Sequence, residues 1–216
     1  PVLEDNDKTI GVVSGVLGIR WFDCTVTGME AHAGPTPMAL RKDAMLAATR
    51  IMQDVVAAAH RHPPHGRGTV GMVQVFPNSR NVIPGRVKFS IDLRNSTDEL
   101  VDAMAAEVKA YADKVAQEHG VQVHLELVSS YPAQLFHPDC VEAVGRAAAK
   151  LGYSHMPAVS GAGHDAVYMA KLAPSGMIFI PCKDGISHNE IEDAKPEHIE
   201  AGCNVLLHAM LERAGV

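Results

Sequence analysis

Apolar and polar side chains alternate along residues 19–28, "IRWFDCTVTG", the period-two pattern of a half-buried strand. The Gly- and Pro-rich stretch "GMEAHAGPTPMAL" that follows reads as a loop. The period then changes. In "RKDAMLAATRIMQDVVAAAHRH", Ala44, Ala47, Ile51, Val55 and Ala58 fall on one helical stripe, and Pro63-Pro64 marks its end. "GTVGMVQVF" and "GRVKFSIDLRN" predict two strands joined by "PNSRNVIP". "STDELVDAMAAEVKAYADKVAQEHG" predicts the clearest helix, with Ser96 as N-cap, Glu99 completing a capping box and Gly120 at the stop. "VQVHLELVSS" alternates again as a strand. The order over residues 19–130 is thus β-α-β-β-α-β, the ferredoxin-like split βαβ arrangement.

Beyond "YPAQLFHPD" the pattern changes. "CVEAVGRAAAKLG" is helical, "HMPAVSGAGHDAVYMAKLA" is a short strand, a glycine turn and a helix, and "GMIFIPC" reads as a buried strand. "KPEHIEAGCNVLLHAMLERA" is a terminal helix with Pro196 in its first turn. This α-β-α-β-α order belongs to an α/β sandwich but has too few elements to close one. The expected architecture is α/β: residues 1–18 and 136–216 form part of a larger α/β domain, and residues 19–135 form a ferredoxin-like domain inserted into it.

Composition narrows the function classes. The 216 residues, 47% apolar and 20% charged, are those of a globular protein, and the formal charge of −6 argues against non-specific nucleic-acid binding. No apolar run reaches the roughly 20 residues that span a bilayer. The opening "PVLEDNDKTIG" has no signal-peptide pattern and no initiating methionine, and reads as the middle of a longer chain. Cys24, Cys140, Cys182 and Cys203 form no CxxC pair, and are expected to be reduced thiols of a cytoplasmic protein.

Five stretches concentrate polar groups. In "GMEAHAGPTP", small neighbours leave His32 unshielded, as suits a group that reaches a ligand; a turn histidine without a role is the alternative. In "FPNSRNVIPG", Pro77 and Pro84 restrict the loop carrying Asn81, an arrangement compatible with either ligand recognition or turn chemistry. In "FSIDLRN", Arg94 ends an apolar strand and is a credible anion anchor, or a partner for Asp92. In "SGAGHDA", Gly161 and Gly163 expose backbone N–H groups ahead of a helix opened by His164 and Asp165. No GxGxxG or GxSxG pattern occurs, so neither a nucleotide fold nor a Ser160–His164–Asp165 triad is expected. In "PCKDGISHNE", His188 lies in a polar loop just past an apolar strand, where metal ligands often sit.

Taken together, "GMEAHAGPTPM", "PNSRNVIPG", "FSIDLRN", "SGAGHDA" and "DGISHNE" resemble the metal-dependent amidohydrolases of the M20 peptidase superfamily. The most similar branch is that of N-carbamoyl-L-amino acid hydrolases, β-ureidopropionases and allantoate amidohydrolases. The resemblance implies a catalytic domain using two divalent ions (zinc, manganese or cobalt), interrupted by a ferredoxin-like lid that forms a homodimer. It implies His188 as the last metal ligand, and Arg94 with the Gly163 backbone and His164 as substrate-binding groups. Asn81 would bind substrate, and His32 would stabilise the developing oxyanion, both reaching into a neighbouring subunit's site. It also places the other metal ligands upstream: a His-x-Asp pair, an acidic pair supplying the base, and a histidine in a stretch like "HIEQGPVLE". These residues are expected to hold neither pair, and thus to be inactive alone. A non-catalytic dimerisation and substrate-gripping module, an allantoate amidohydrolase, and an aminoacylase- or dipeptidase-like member of the superfamily are the alternatives.

Overall fold

In the computed structural model, which describes residues 1–216, the chain opens on a single helical turn, α1 (Val2–Asp5), and a strand, β1 (Ile10–Val16), buried except at Ser14. A long strand, β2 (Gly18–Thr27), a two-residue strand, β3 (Ala31–His32), and helix α2 (Ala44–Arg61) follow. Next come β4 (Arg67–Thr69), β5 (Val73–Phe76), β6 (Val82–Ile83), β7 (Arg86–Asn95), α3 (Asp98–His119) and β8 (Gln122–Tyr131). The remainder comprises β9 (Gln134–Leu135), α4 (Pro138–Lys150), β10 (His155–Ser160), α5 (Asp165–Met169), β11 (Met177–Phe179) and α6 (Pro196–Ala214). The fold is mixed α/β. Two compact units result, Leu17–Ala133 and Pro1–Val16 with Gln134–Val216.

In the Leu17–Ala133 unit the sheet order is β4-β7-β2-β8, with β5 also on β7, and every pair is antiparallel. Alternation puts Val87, Phe89, Ile91 and Leu93 of β7 into one core with Cys24 and Val26 of β2. The α2 stripe meets that core: Ala44, Ala47, Ile51, Val55 and Ala58 are all fully buried. Val101, Met104, Val108, Ala112 and Val115 complete it from α3. Burial pushes the Cys24 thiol up to about 12, which makes it an inert packing group.

Two local expectations need correction. The cap of α3 is Thr97, whose hydroxyl accepts from the Leu100 N–H at 3.3 Å, and not Ser96. Ser96 is engaged elsewhere, because the Asn95 carboxamide oxygen accepts both its N–H (2.7 Å) and its hydroxyl (3.4 Å). The stretch "GTVGMVQVF" is two strands rather than one. From Thr69↔Asp92 to Val73↔Phe89 the outer strand advances four residues and β7 only three, so one extra residue is accommodated as a bulge. Ser90 bridges the break: its hydroxyl accepts from Met72 N–H and its own N–H donates to Met72 O, both at 3.1 Å.

In the other unit β1 is central, parallel to β10 and antiparallel to β11 and β9. Ile10 and Val12 pack against alanines of α4 and α6, whose small side chains let both helices approach the sheet. Val13, Val16 and Phe136 form a second cluster. The strand expected to be buried, β11, is only half-buried, because it pairs with β1 alone.

The ends of the Leu17–Ala133 segment meet within its own sheet, where Ile19 opposes Tyr131. In the other unit Val16 opposes Gln134. Replacing residues 17–133 by Asn-Gly therefore matches a two-residue hairpin joining β1 to β9. We expect the excised 17–133 segment and the hairpin-closed remainder each to unfold in one cooperative transition by circular dichroism. A segment without a transition would show that its core depends on the rest of the chain.

Candidate functional site

His32 and Asn81 are brought together by a two-stranded ribbon, β3 on β6, in which His32 opposes Val82 and the Ala33 N–H donates to the Asn81 carbonyl at 2.8 Å. Arg41 pins the loop beyond His32, donating to the Ala33 carbonyl (2.6 Å) and the Thr36 carbonyl (3.1 Å). The His32 ring is oriented from behind, since the Gly34 N–H donates to Nδ1 at 3.1 Å. A neutral His32 therefore carries its proton on Nε2 and presents a donor. Asn81 Oδ1 accepts from the Ser79 hydroxyl at 2.9 Å, so its NH₂ is the end available to a ligand. Both residues are exposed. The ribbon thus offers two neighbouring N–H donors, a pair suited to oxygen acceptors.

Arg94 stands on the sheet face opposite the core. Period two puts Asp92 on the same face, and the two form a bidentate pair, Nε to Oδ1 at 2.9 Å and Nη2 to Oδ2 at 2.6 Å. That hydrogen bonding raises the Arg94 pKa above its usual value against the opposing effect of burial, so the guanidinium is a fixed cation.

In the other unit, "SGAGHDA" turns from β10 into the single-turn helix α5, with His164 at its N-cap. Gly161 and Gly163 are exposed, and an added Cβ at either would meet no atom within 4 Å. Ser160 and His164 are joined after all: Oγ lies 2.8 Å from Nε2. Asp165 takes no part, and the hydroxyl is buried and bonded to the Ala162 carbonyl at 2.9 Å, so no nucleophilic triad exists.

His188 sits in a loop held at both ends, by Lys183 N–H donating to Asp193 O (2.7 Å) and Cys182 N–H donating to the Glu4 carboxylate (2.8 Å). Its backbone is left-handed, φ 57°, a conformation that costs about 1–2 kcal/mol for a residue with a Cβ. Its N–H donates to Glu192 Oε2 at 3.2 Å. All four cysteines are free thiols.

No three His, Cys, Asp or Glu side chains converge to hold a metal ion. A His-x-Asp spacing does occur, at His137-Pro138-Asp139, contrary to expectation. It caps α4, with His137 Nδ1 accepting from the Asp139 N–H at 3.3 Å, and is no ligand pair. Sequence reasoning missed Gly34, Arg41 and Ser160, which orient the His32 ring, the loop beyond it and the His164 ring; only the i, i+4 spacing of Ser160 and His164 hinted at any of them. No helix is long and apolar enough to cross a membrane.

The model of peptidase family M20/M25/M40 matches residues 4–212. The chain is 47% identical over 216 residues to an N-carbamoyl-L-amino-acid amidohydrolase of Rhizobium meliloti, covering 100% of this chain and 52% of that protein. It is 30% identical over 212 residues to an allantoate amidohydrolase of Bacillus subtilis, covering 98% and 52%. The crystal structure of a hydantoinase/carbamoylase family amidase from Burkholderia multivorans superposes with a TM-score of 0.96 at 54% identity, covering 99% of this chain and 52% of that one. The chain therefore spans about half the length of the relatives it matches. Ordered motifs, mixed α/β fold and a family match over nearly every residue agree: this chain belongs to peptidase family M20/M25/M40.

Proposed function

We propose that this chain is the substrate-gripping part of a cytoplasmic N-carbamoyl-L-amino acid amidohydrolase, which cleaves the ureido C–N bond with one water to give carbon dioxide, ammonia and the amino acid. The observation that carries this reading is the 47% identity to a carbamoylase across the whole chain, against 30% to an allantoate amidohydrolase. Arg94 holds the substrate carboxylate with help from the Gly163 N–H, His164 and Asn81 contact the ureido end, and the His32 Nε2–H donates to the oxyanion as it develops. The Leu17–Ala133 unit serves as a ferredoxin-like lid through which two copies pair. Its antiparallel order β4-β7-β2-β8, with both helices on one face, supports that assignment.

The two divalent ions (zinc, manganese or cobalt) belong to the longer protein, with His188 as the ligand contributed from here. Two features support His188. Its strained backbone is of the kind kept at functional sites. The Glu4–Cys182 bond also draws the start of the chain to the His188 loop, and an added Cβ at Gly185 would overlap Pro1. In the resembling family, a further ligand histidine lies in a stretch like "HIEQGPVLE", whose last four residues match Pro1–Glu4.

The test compares the 216-residue chain with a chimera in which the uncovered half of the Burkholderia multivorans amidase is fused to it. Both are assayed on N-carbamoyl-L-amino acids and allantoate with added zinc, manganese or cobalt. The chimera should hydrolyse the carbamoyl substrates and the chain alone should not. Turnover by the bare chain overturns the assignment of missing ligands, and a folded chimera that prefers allantoate overturns the substrate.

A further inference from the structure

We infer that Ser160 is a positioning residue that locks the neutral His164 imidazole as its Nε2–H tautomer, so that Nδ1 offers a lone pair to an N–H donor of the substrate. A hydroxyl has one proton and two acceptor positions. Around Ser160 Oγ stand three partners: the Ala162 N–H at 3.1 Å, the Ala162 carbonyl at 2.9 Å and His164 Nε2 at 2.8 Å. The N–H fills one acceptor position. The carbonyl can only accept, so the hydroxyl proton goes to it. What remains for Nε2 is the second acceptor position, and Nε2 must bring the proton.

The opposite assignment, hydroxyl proton to Nε2, would leave two oxygens 2.9 Å apart with lone pairs facing and no proton between them. That arrangement would lose the hydrogen bond and set two lone pairs against each other beside the buried Ser160 side chain. The ring plane is held as well, by an edge-on contact with Phe179 at 5.7 Å between centroids and 64° between planes. His164 Nδ1 makes no hydrogen bond in the structure. The two histidines of the reading above are therefore set in the same tautomer but turned opposite ways. His32 has its Nδ1 occupied and offers a donor, whereas His164 has its Nε2 occupied and offers an acceptor. One suits a carbonyl oxygen and the other an N–H, the two kinds of group on a ureido carbon. Only this last identification rests on the proposed function.

Long-range proton–nitrogen NMR on the uniformly ¹⁵N-labelled 216-residue chain, without any ligand, tests the inference. At a pH where His164 is neutral, its proton should sit on Nε2 and exchange slowly with water. Ser160→Ala should speed that exchange by at least about tenfold, the loss of one buried hydrogen bond of order 1.4 kcal/mol. Ser160→Thr, which keeps the hydroxyl, should restore it. A wild-type proton on Nδ1, a measurement that needs no variant to fold, overturns the inference, as does an Nε2–H unaffected by Ser160→Ala. Because no substrate is present, either failure leaves the carbamoylase reading standing, and an inactive chimera would leave the tautomer result standing.

Discussion

Replacing Arg94 by methionine in the chimera should lower kcat/KM for N-carbamoyl-L-amino acids about 100- to 20,000-fold, mostly through KM. Two charge-assisted hydrogen bonds to a carboxylate, each about 1.5–3 kcal/mol, are lost, and 1.4 kcal/mol is a factor of ten. The geometry explains why lysine should not rescue. The Asp92 carboxylate takes the Nε and Nη2 edge of the guanidinium, which fixes the plane of the group. An ammonium group is a point charge without that planar fork, so a lysine reproduces neither the two bonds to Asp92 nor a bidentate grip on a carboxylate. The substitution also leaves the half-buried Asp92 charge without that partner. The double variant Asp92→Asn/Arg94→Met removes this penalty, and a stability cycle separates it from the kinetic effect. A kcat/KM within threefold of the parent would remove Arg94 from substrate binding.

Much of this arrangement was legible in the chain because it is written in short-range periodicity. The α2 stripe and the alternation in β7 each specify a buried face, and both lie where expected. What escaped was set by side chains competing for backbone groups. Asn95 captures Ser96 and shifts the α3 cap by one residue, a choice invisible in a string where Ser96 and Thr97 are both good caps. The bulge between β4 and β5 is forced by pairing to β7, and so depends on a partner outside the stretch itself. The site divides in the same way. His32, Asn81, Arg94, Gly163, His164 and His188 stand out as residue types in unusual surroundings. Of the groups that orient them, Asp92 already stood two residues from Arg94 as a candidate partner, whereas the roles of Gly34 and Ser160 become visible only when hydrogen bonds assign direction.

The largest stability effect should come from Phe89→Ala. Phe89 is 3% exposed at the middle of β7, facing Cys24 on β2 and Val73 on β5 as backbone partners, and it belongs to the single cluster joining sheet, α2 and α3. Truncating a buried phenylalanine costs about 3–5 kcal/mol, from lost transfer free energy and the cavity left behind. How far that cavity closes is set by the flexible side chains of the same cluster, Met104 on α3 and Met45 and Met52 on α2. Phe89→Leu, which refills most of the volume, should cost less than half as much. Val73→Ala, on the neighbouring strand but 46% exposed, should stay within about 0.5 kcal/mol. Urea unfolding of the 17–133 segment measures all three against its own transition. Equal losses for Phe89→Ala and Val73→Ala would mean that pairing along the sheet, rather than packing beneath it, holds this unit together.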